Sequence, residues 1–120
     1  MTTVLVAEDD EDIVLLVATR LKRDGYDVVT ARSGAEALEL MEARRPDLAV
    51  LDIGMPPPDG IEVVRRIRND AGLRDTRLLL LTAKAQESDV RRGLEAGADA
   101  YVSKPFSPAD LSARVAELLR

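Results

Sequence analysis

A chain of 120 residues that is 46% hydrophobic and 32% charged has the size and composition of one soluble globular domain. It contains no His and no Cys, which excludes Ser-His-Asp triads, cysteine nucleophiles, disulfides, zinc sites of the usual kind and any phosphohistidine formed within the chain. With 17 Lys and Arg against 22 Asp and Glu, a net charge of -5, and only Tyr26, Tyr101 and Phe106 as aromatics, direct binding to nucleic acid or to an anionic membrane is not expected.

Met1-Thr2-Thr3 runs straight into an apolar segment without a basic region or a cleavage site, which argues against a secretory signal. The longest apolar stretch, Ile13 to Ala18, is far short of the roughly 20 residues that span a bilayer. A cytoplasmic location is expected. In chain order, the first apolar run, Val4 to Ala7, reads as a strand. Ile13, Leu16, Val17, Arg20 and Leu21 then recur at helical spacing, and Gly25 follows as a left-handed stop. A second strand runs from Val28 to Ala31. Ser33 to Glu36 forms a capping box opening a helix that places Leu38 and Met41 inward and ends before Pro46.

The third strand, Leu48 to Leu51, leads to a helix from Ile61 that carries Val64 and Ile67. Asn69 to Arg77 reads as a surface loop before the fourth strand, Leu78 to Leu81. The fourth helix puts Val90, Gly93 and Leu94 on one face and stops at Gly97. A fifth strand, Ala100 to Val102, precedes a helix capped by Ser107, with Pro108 at its first position and Leu111, Val115, Leu118 and Leu119 repeating along it.

Strands that are apolar throughout belong to parallel sheets covered by helices on both faces. Five such strand-helix pairs with right-handed crossovers predict an α/β fold, (βα)5, with an open doubly wound five-stranded parallel sheet. Ligands in such sheets bind beyond the carboxyl ends of the strands, where the strand order reverses. Those ends hold Glu8, Asp9, Asp10 and Glu11 after the first strand, Asp52 after the third, Thr82 after the fourth, and Ser103 and Lys104 after the fifth. Each alone has a plain structural reading. An acid near Asp10 caps the next helix, Thr82 caps or turns, and Lys104 is a solvated charge. Their coincidence at one edge is what points to chemistry.

If Glu8, Asp9 and Asp52 meet, two carboxylates about 4 to 5 Å apart repel by roughly 3 to 4 kcal/mol at an effective dielectric near about 20. A hard divalent cation that keeps several waters, such as Mg²⁺, relieves this repulsion. With Lys104 opposite and the Thr82 hydroxyl nearby, the edge becomes a receptacle for a phosphoryl group, and the central Asp52 becomes the candidate nucleophile, forming an acyl phosphate.

Five segments carry a recognisable pattern. They are Val4-Leu5-Val6-Ala7-Glu8-Asp9-Asp10, Asp52 through Pro56 with Asp59-Gly60, Leu81-Thr82-Ala83, Gly93 through Asp99, and Tyr101-Val102-Ser103-Lys104-Pro105-Phe106. Together they resemble the CheY-like receiver domain of two-component response regulators over essentially residues 1–120. The resemblance implies a flavodoxin-like strand order 2-1-3-4-5 and phosphorylation of Asp52 by a partner histidine kinase. It also implies direct Mg²⁺ binding by Asp9, Asp52 and the Gly54 carbonyl, with Glu8 acting through water. Thr82 and Tyr101 look like the family's switch pair, and Lys104-Pro105 resembles its cis peptide. Such a domain catalyses only its own phosphorylation and dephosphorylation, and controls an output domain or a downstream partner.

The segment from Lys104 to Arg114 resembles receivers of the OmpR/PhoB type, which precede a DNA-binding domain, so control of transcription is implied. Those receivers form homodimers through the fourth helix, fifth strand and fifth helix. Asp99, Asp110 and Arg114 match their ion-pair pattern, whereas Val90 and Ala100 stand where a basic and an acidic residue are expected. Pro56-Pro57-Pro58 replaces the usual loop while keeping the count from Asp52 to Gly60. Gly54 and Lys84 occupy the two positions that tune phosphoryl lifetime in the family. A dehalogenase-type phosphatase would need a second Asp where Gly54 stands, and a flavin carrier would need hydroxyls where this chain has Glu8 and Asp9. A degenerate, unphosphorylated receiver acting as an interaction module is the remaining alternative.

Overall fold

Five parallel strands hydrogen-bond side by side in a single sheet, in the computed structural model of the chain, which describes residues 1–83 and 87–120. Strands and helices alternate as β1 (Thr3–Ala7), α1 (Glu11–Arg23), β2 (Asp27–Ala31), α2 (Gly34–Arg44), β3 (Leu48–Asp52), α3 (Gly60–Arg68), β4 (Arg77–Thr82), α4 (Glu87–Ala96), β5 (Ala100–Ser103) and α5 (Pro108–Leu118). The strand order is β2-β1-β3-β4-β5, so the doubly wound prediction and its implied order both hold.

Alternate strand residues serve two cores. Leu5, Ala49, Leu51, Leu78 and Leu80 face Met41, Val64 and Ile67 of α2 and α3. Val4, Val6, Val50, Leu79 and Leu81 face Val17, Leu21, Leu111 and Val115 of α1 and α5. The central strands β1, β3 and β4 are buried on both faces because side chains two apart along a strand share a face and both faces are covered. The edge strands β2 and β5 are only partly buried: β2 packs Val29 on one core and Val28 on the other, whereas β5 packs Ala100 and Val102 on one core and leaves Tyr101 exposed.

Local signals start the helices. Asp10 accepts from the Asp12 and Ile13 amides, Ser33 from Glu36, Asp59 from Glu62 and Ser107 from Asp110. The expected inward faces need three corrections. Helix α1 buries Val14, Val17, Ala18 and Leu21, while Leu16 is half exposed. Residues 13 to 18 are apolar on every side, so their spacing could not choose a face. Helix α2 buries Ala37 and Met41, and Leu38 only flanks that core. Helix α4 buries Gly93, where an added Cβ would lie 2.4 Å from Leu80 Cδ1, and Leu94 is exposed instead. That close approach turns the glycine toward the sheet and rotates Leu94 outward.

The segment from Asn69 to Thr76 is a turn region held by Arg45, whose Nη1 donates to the Gly72 carbonyl at 3.2 Å, and above all by Arg68. Arg68 donates through Nε to the Gly97 carbonyl at 2.8 Å and through Nη1 to the carbonyls of Arg74 and Thr76, each at 2.7 Å. Its Nη2 donates to Asp99 Oδ2 at 2.9 Å. Asp99, expected on a dimer face, is therefore occupied within the chain.

Candidate functional site

Strand register levels the candidate residues at one edge. Ala7 pairs with Leu51, Asp52 with Leu81 and Thr82 with Ser103, so Glu8, Asp52, Thr82 and Lys104 all emerge together. The ladder continues one step past the strands: the Glu8 amide donates to the Ala31 carbonyl, Ile53 to Leu81 and Lys104 to Thr82. This edge includes the place where the chain order reverses between β1 and β3, the crevice position expected for a ligand.

The carboxylates of Glu8, Asp9 and Asp52 offer ligand oxygens that all lie within 4.8 Å of one another. Glu8 is fully buried and Asp52 nearly so, while Asp9 is exposed at the mouth. Lys104 Nζ lies 2.6 Å from Glu8 Oε1 and donates to Asp52 Oδ1 at 3.2 Å. Glu8 Oε2 accepts from the Asp10 amide at 3.1 Å, so Asp10 both caps α1 and braces the buried acid. Among the described residues Oε1 has no aligned hydrogen-bond donor, and the ammonium compensates it as an ion pair.

Burial pushes the Glu8 carboxyl up to about 7, with Asp9 and Asp52 adding to the rise, against the opposing pull of Lys104 and the Asp10 amide. Burial works against the charge of Lys104, yet Glu8 and Asp52 beside it hold its ammonium above the ordinary lysine value. At up to 4.8 Å, the two buried carboxylates repel by about 3 to 4 kcal/mol at an effective dielectric near about 20. One ammonium does not neutralise three acids. The donor set is all oxygen, one buried oxygen lacks an aligned donor and the acids are in excess, so the residues suit a hard divalent cation.

A cleft of about 450 Å³ opens onto Asp52, Gly54, Thr82 and Lys104, with Ile53, Ala83 and Asp89 completing its wall. Thr82 is buried at its base. At Gly54 an added Cβ would sit 3.8 Å from Asp52 Oδ2, so the absent side chain leaves that carboxylate open to the cleft. Tyr101 is not in this cleft: its exposed side chain lines a separate groove with Ser103, Asp110 and Arg114. The Lys104–Pro105 peptide is cis, as is Pro57–Pro58. Lys84 lies outside the described residues.

Two contributors escaped the sequence reading. An added Cβ on Gly60 would lie 2.4 Å from the Asp52 carbonyl oxygen, so the start of α3 packs directly on the backbone that carries the carboxylate. Asp89 on the cleft wall also went unremarked, because α4 placed no periodic signal on it. For Gly60 the signal was available: a glycine directly after the Asp59 cap marks a close backbone approach.

An all-oxygen acid cluster facing one lysine at the carboxyl edge of a doubly wound sheet has the charges to hold a divalent cation beside an anionic group. Residues 4–116 match the family described as the response regulator receiver domain. The chain is 49% identical over 117 residues to the alkaline phosphatase synthesis transcriptional regulatory protein PhoP of Bacillus subtilis, covering 98% of this chain and 48% of that protein. It is 39% identical over 118 residues to the phosphate regulon transcriptional regulatory protein PhoB of Pseudomonas aeruginosa, covering 98% and 52%. Among solved structures, the chemotaxis response regulator CheY4 of Vibrio cholerae superposes with a TM-score of 0.94 at 32% identity, covering 99% of each chain.

The chain therefore belongs to the response regulator receiver domain family, and it is a receiver of two-component phosphorelay signalling similar to those of the PhoP and PhoB transcriptional regulators. It spans about half the length of the curated relatives it matches. No helix among the described residues is long and apolar enough to cross a membrane.

Proposed function

We propose that Asp52 is the phosphoacceptor and that a partner histidine kinase supplies the phosphoryl group. The observation that carries this is the placement of the Asp52 carboxylate: nearly buried, hydrogen-bonded by Lys104, within 4.8 Å of two further acids, and open to a cleft with no side chain at Gly54 in front of it. An Asp52 oxygen attacks phosphorus, the phosphorus–nitrogen bond of the donor phosphohistidine breaks, and its electron pair stays with the imidazole. The product is an aspartyl phosphate, which water later hydrolyses to carboxylate and inorganic phosphate.

Glu8, Asp9, Asp52 and the Gly54 carbonyl are the groups that would hold Mg²⁺. The bound ion would offset the negative charge of the phosphoryl oxygens and the acid cluster. Lys104 and the Thr82 hydroxyl would contact phosphoryl oxygens on the other flank. Once phosphorus is bound, Thr82 would shift toward it and Tyr101 would leave its exposed position, carrying the signal to β5 and α5. The same reading gives the domain a cytoplasmic setting and a regulatory role, controlling an output domain or downstream protein and, by likeness to PhoP and PhoB, transcription.

The test is incubation with acetyl phosphate and Mg²⁺, read by intact mass. One added phosphoryl group is expected, absent in Asp52→Asn and absent when the metal is chelated. An unchanged mass would favour the degenerate receiver that acts as an unphosphorylated interaction module.

A further inference from the structure

The turn between β2 and α2 touches both loops that carry the acid site, though it contributes no acid itself. The Ala31 carbonyl accepts from the Glu8 amide at 3.0 Å. Arg32 Nη2 donates to the Asp9 carbonyl at 3.3 Å, and Nη1 lies 3.7 Å from Glu11. The arginine is itself held, because its own amide donates to Glu36 Oε1 at 2.6 Å. Two residues on, Gly34 is buried against the proline segment of the β3–α3 loop. An added Cβ there would lie 1.8 Å from the Pro58 carbonyl oxygen and 2.9 Å from its carbon. That loop is closed at its base by the Gly60 amide, which donates to the Ile53 carbonyl at 3.2 Å, and Gly54 lies inside the closed segment.

We propose that the turn Arg32–Gly34 is a positioning element that sets the distance between Asp9 and the Asp52–Gly54 segment, and so the affinity of the site for its divalent cation. The inference rests on the reading that Glu8, Asp9, Asp52 and Gly54 hold that cation. Gly34 sets the position of one loop through direct backbone contact, since any side chain would push Pro58 outward. Arg32 holds the other loop by its Asp9 carbonyl. Mg²⁺ demands near-ideal geometry, so a site of loops held from outside is sensitive to small shifts in either brace. Groups that orient metal ligands from outside commonly change affinity by about 10- to 100-fold when removed.

The sign of the Arg32 effect separates positioning from charge. Removing a positive charge beside an acid cluster should by Coulomb's law tighten cation binding, whereas removing a brace should weaken it. Mg²⁺ affinity is measured by titration calorimetry for the native chain, Gly34→Ala, Arg32→Ala and Arg32→Lys, with the Gly54 amide resonance recorded before metal is added. Leu73→Ala, in a buried position on the turn after α3, serves as a destabilised control. Gly34→Ala is expected to weaken binding about tenfold or more, with a displaced metal-free Gly54 resonance, and Arg32→Ala several-fold. Arg32→Lys should recover most of the loss, and Leu73→Ala should bind like the native chain.

Should Gly34→Ala fail to fold, Arg32→Ala decides alone. Native-like affinity in that variant, or tighter binding, overturns the proposal. A native chain that takes up no Mg²⁺ overturns the functional reading and this inference together, whereas native binding with unaffected variants removes the inference only.

Discussion

Lys104 Nζ lies 2.6 Å from Glu8 Oε1, joining the end of β5 to the end of β1 across the two intervening strands, with Asp52 of β3 as its second partner. Breaking a buried pair by removing one member ordinarily costs about 3 to 5 kcal/mol. Lys104→Met should cost less than that at neutral pH, because the stranded Glu8 can take up a proton. Urea unfolding of metal-free protein at pH 7 should show a loss of about 1 to 3 kcal/mol. The raised pKa of Lys104 adds a second signature. Its stabilising effect is fully present below the ordinary value of 10.5 and is lost as pH climbs through the higher folded value. An alkaline unfolding step that persists unchanged in Lys104→Met would contradict this assignment.

The Glu8 carboxyl predicts the acid-side behaviour. Its pKa stands at about 7 in the folded protein against an ordinary 4.5, so the folded state binds this proton more tightly than the unfolded chain does. Its contribution to stability is therefore greatest below 4.5, declines as pH rises from there to about 7, and is level above. In Tm measurements without metal, Glu8→Gln should remove that decline. Mg²⁺ competes with the proton for the same site, so added metal should raise Tm more at pH 8 than at pH 5.5.

Asp52→Asn should stabilise the metal-free protein. The substitution removes one of two buried like charges and leaves Lys104 with Glu8, so a net gain of about 1 kcal/mol is expected at pH 7.5 once the lost Lys104 hydrogen bond is subtracted. The same variant should lose most of the Tm increase that Mg²⁺ gives the native chain. Denaturant curves with and without metal measure both effects, and a destabilised Asp52→Asn would mean that the acids do not strain one another.

Gly60→Ala drives a methyl group to 2.4 Å from the Asp52 carbonyl oxygen. The backbone must move, at a cost of about 1 to 3 kcal/mol. Since that backbone carries Asp52, the proposed acceptor, phosphorylation by acetyl phosphate should slow as well. A variant of native stability and rate would show that the start of α3 yields without disturbing Asp52.

Arg68→Ala tests the opposite end of the sheet. It removes the donors to Gly97, Arg74 and Thr76 and leaves Asp99 without its cation, for an expected loss of about 2 to 4 kcal/mol. Amide exchange should rise in residues 69–77, while Mg²⁺ affinity stays unchanged because this network lies at the amino end of β4. A large fall in metal affinity would mean that the two ends are coupled.

Much of this molecule is legible in one dimension. Strand runs interrupted by helical spacing dictate a covered parallel sheet, and a parallel sheet delivers its strand ends to one edge, so Glu8, Asp9, Asp52, Thr82 and Lys104 could be grouped before any contact was known. In α5, Leu111 and Val115 stand among polar neighbours, and their spacing named the buried face unaided. Helix α1 could not be read that way, because the unbroken apolar run at its start satisfies every face equally and only the docking of Val14, Val17 and Leu21 on the sheet selects one. Ionisation of the site was equally hidden. The same glutamate in water would be an ordinary acid, and enclosure beside Asp52 is what keeps its proton near neutrality. The backbone contact of Gly34 on Pro58 belongs to that second class too, since it joins two loops well apart in the chain and exists only once they have been folded together.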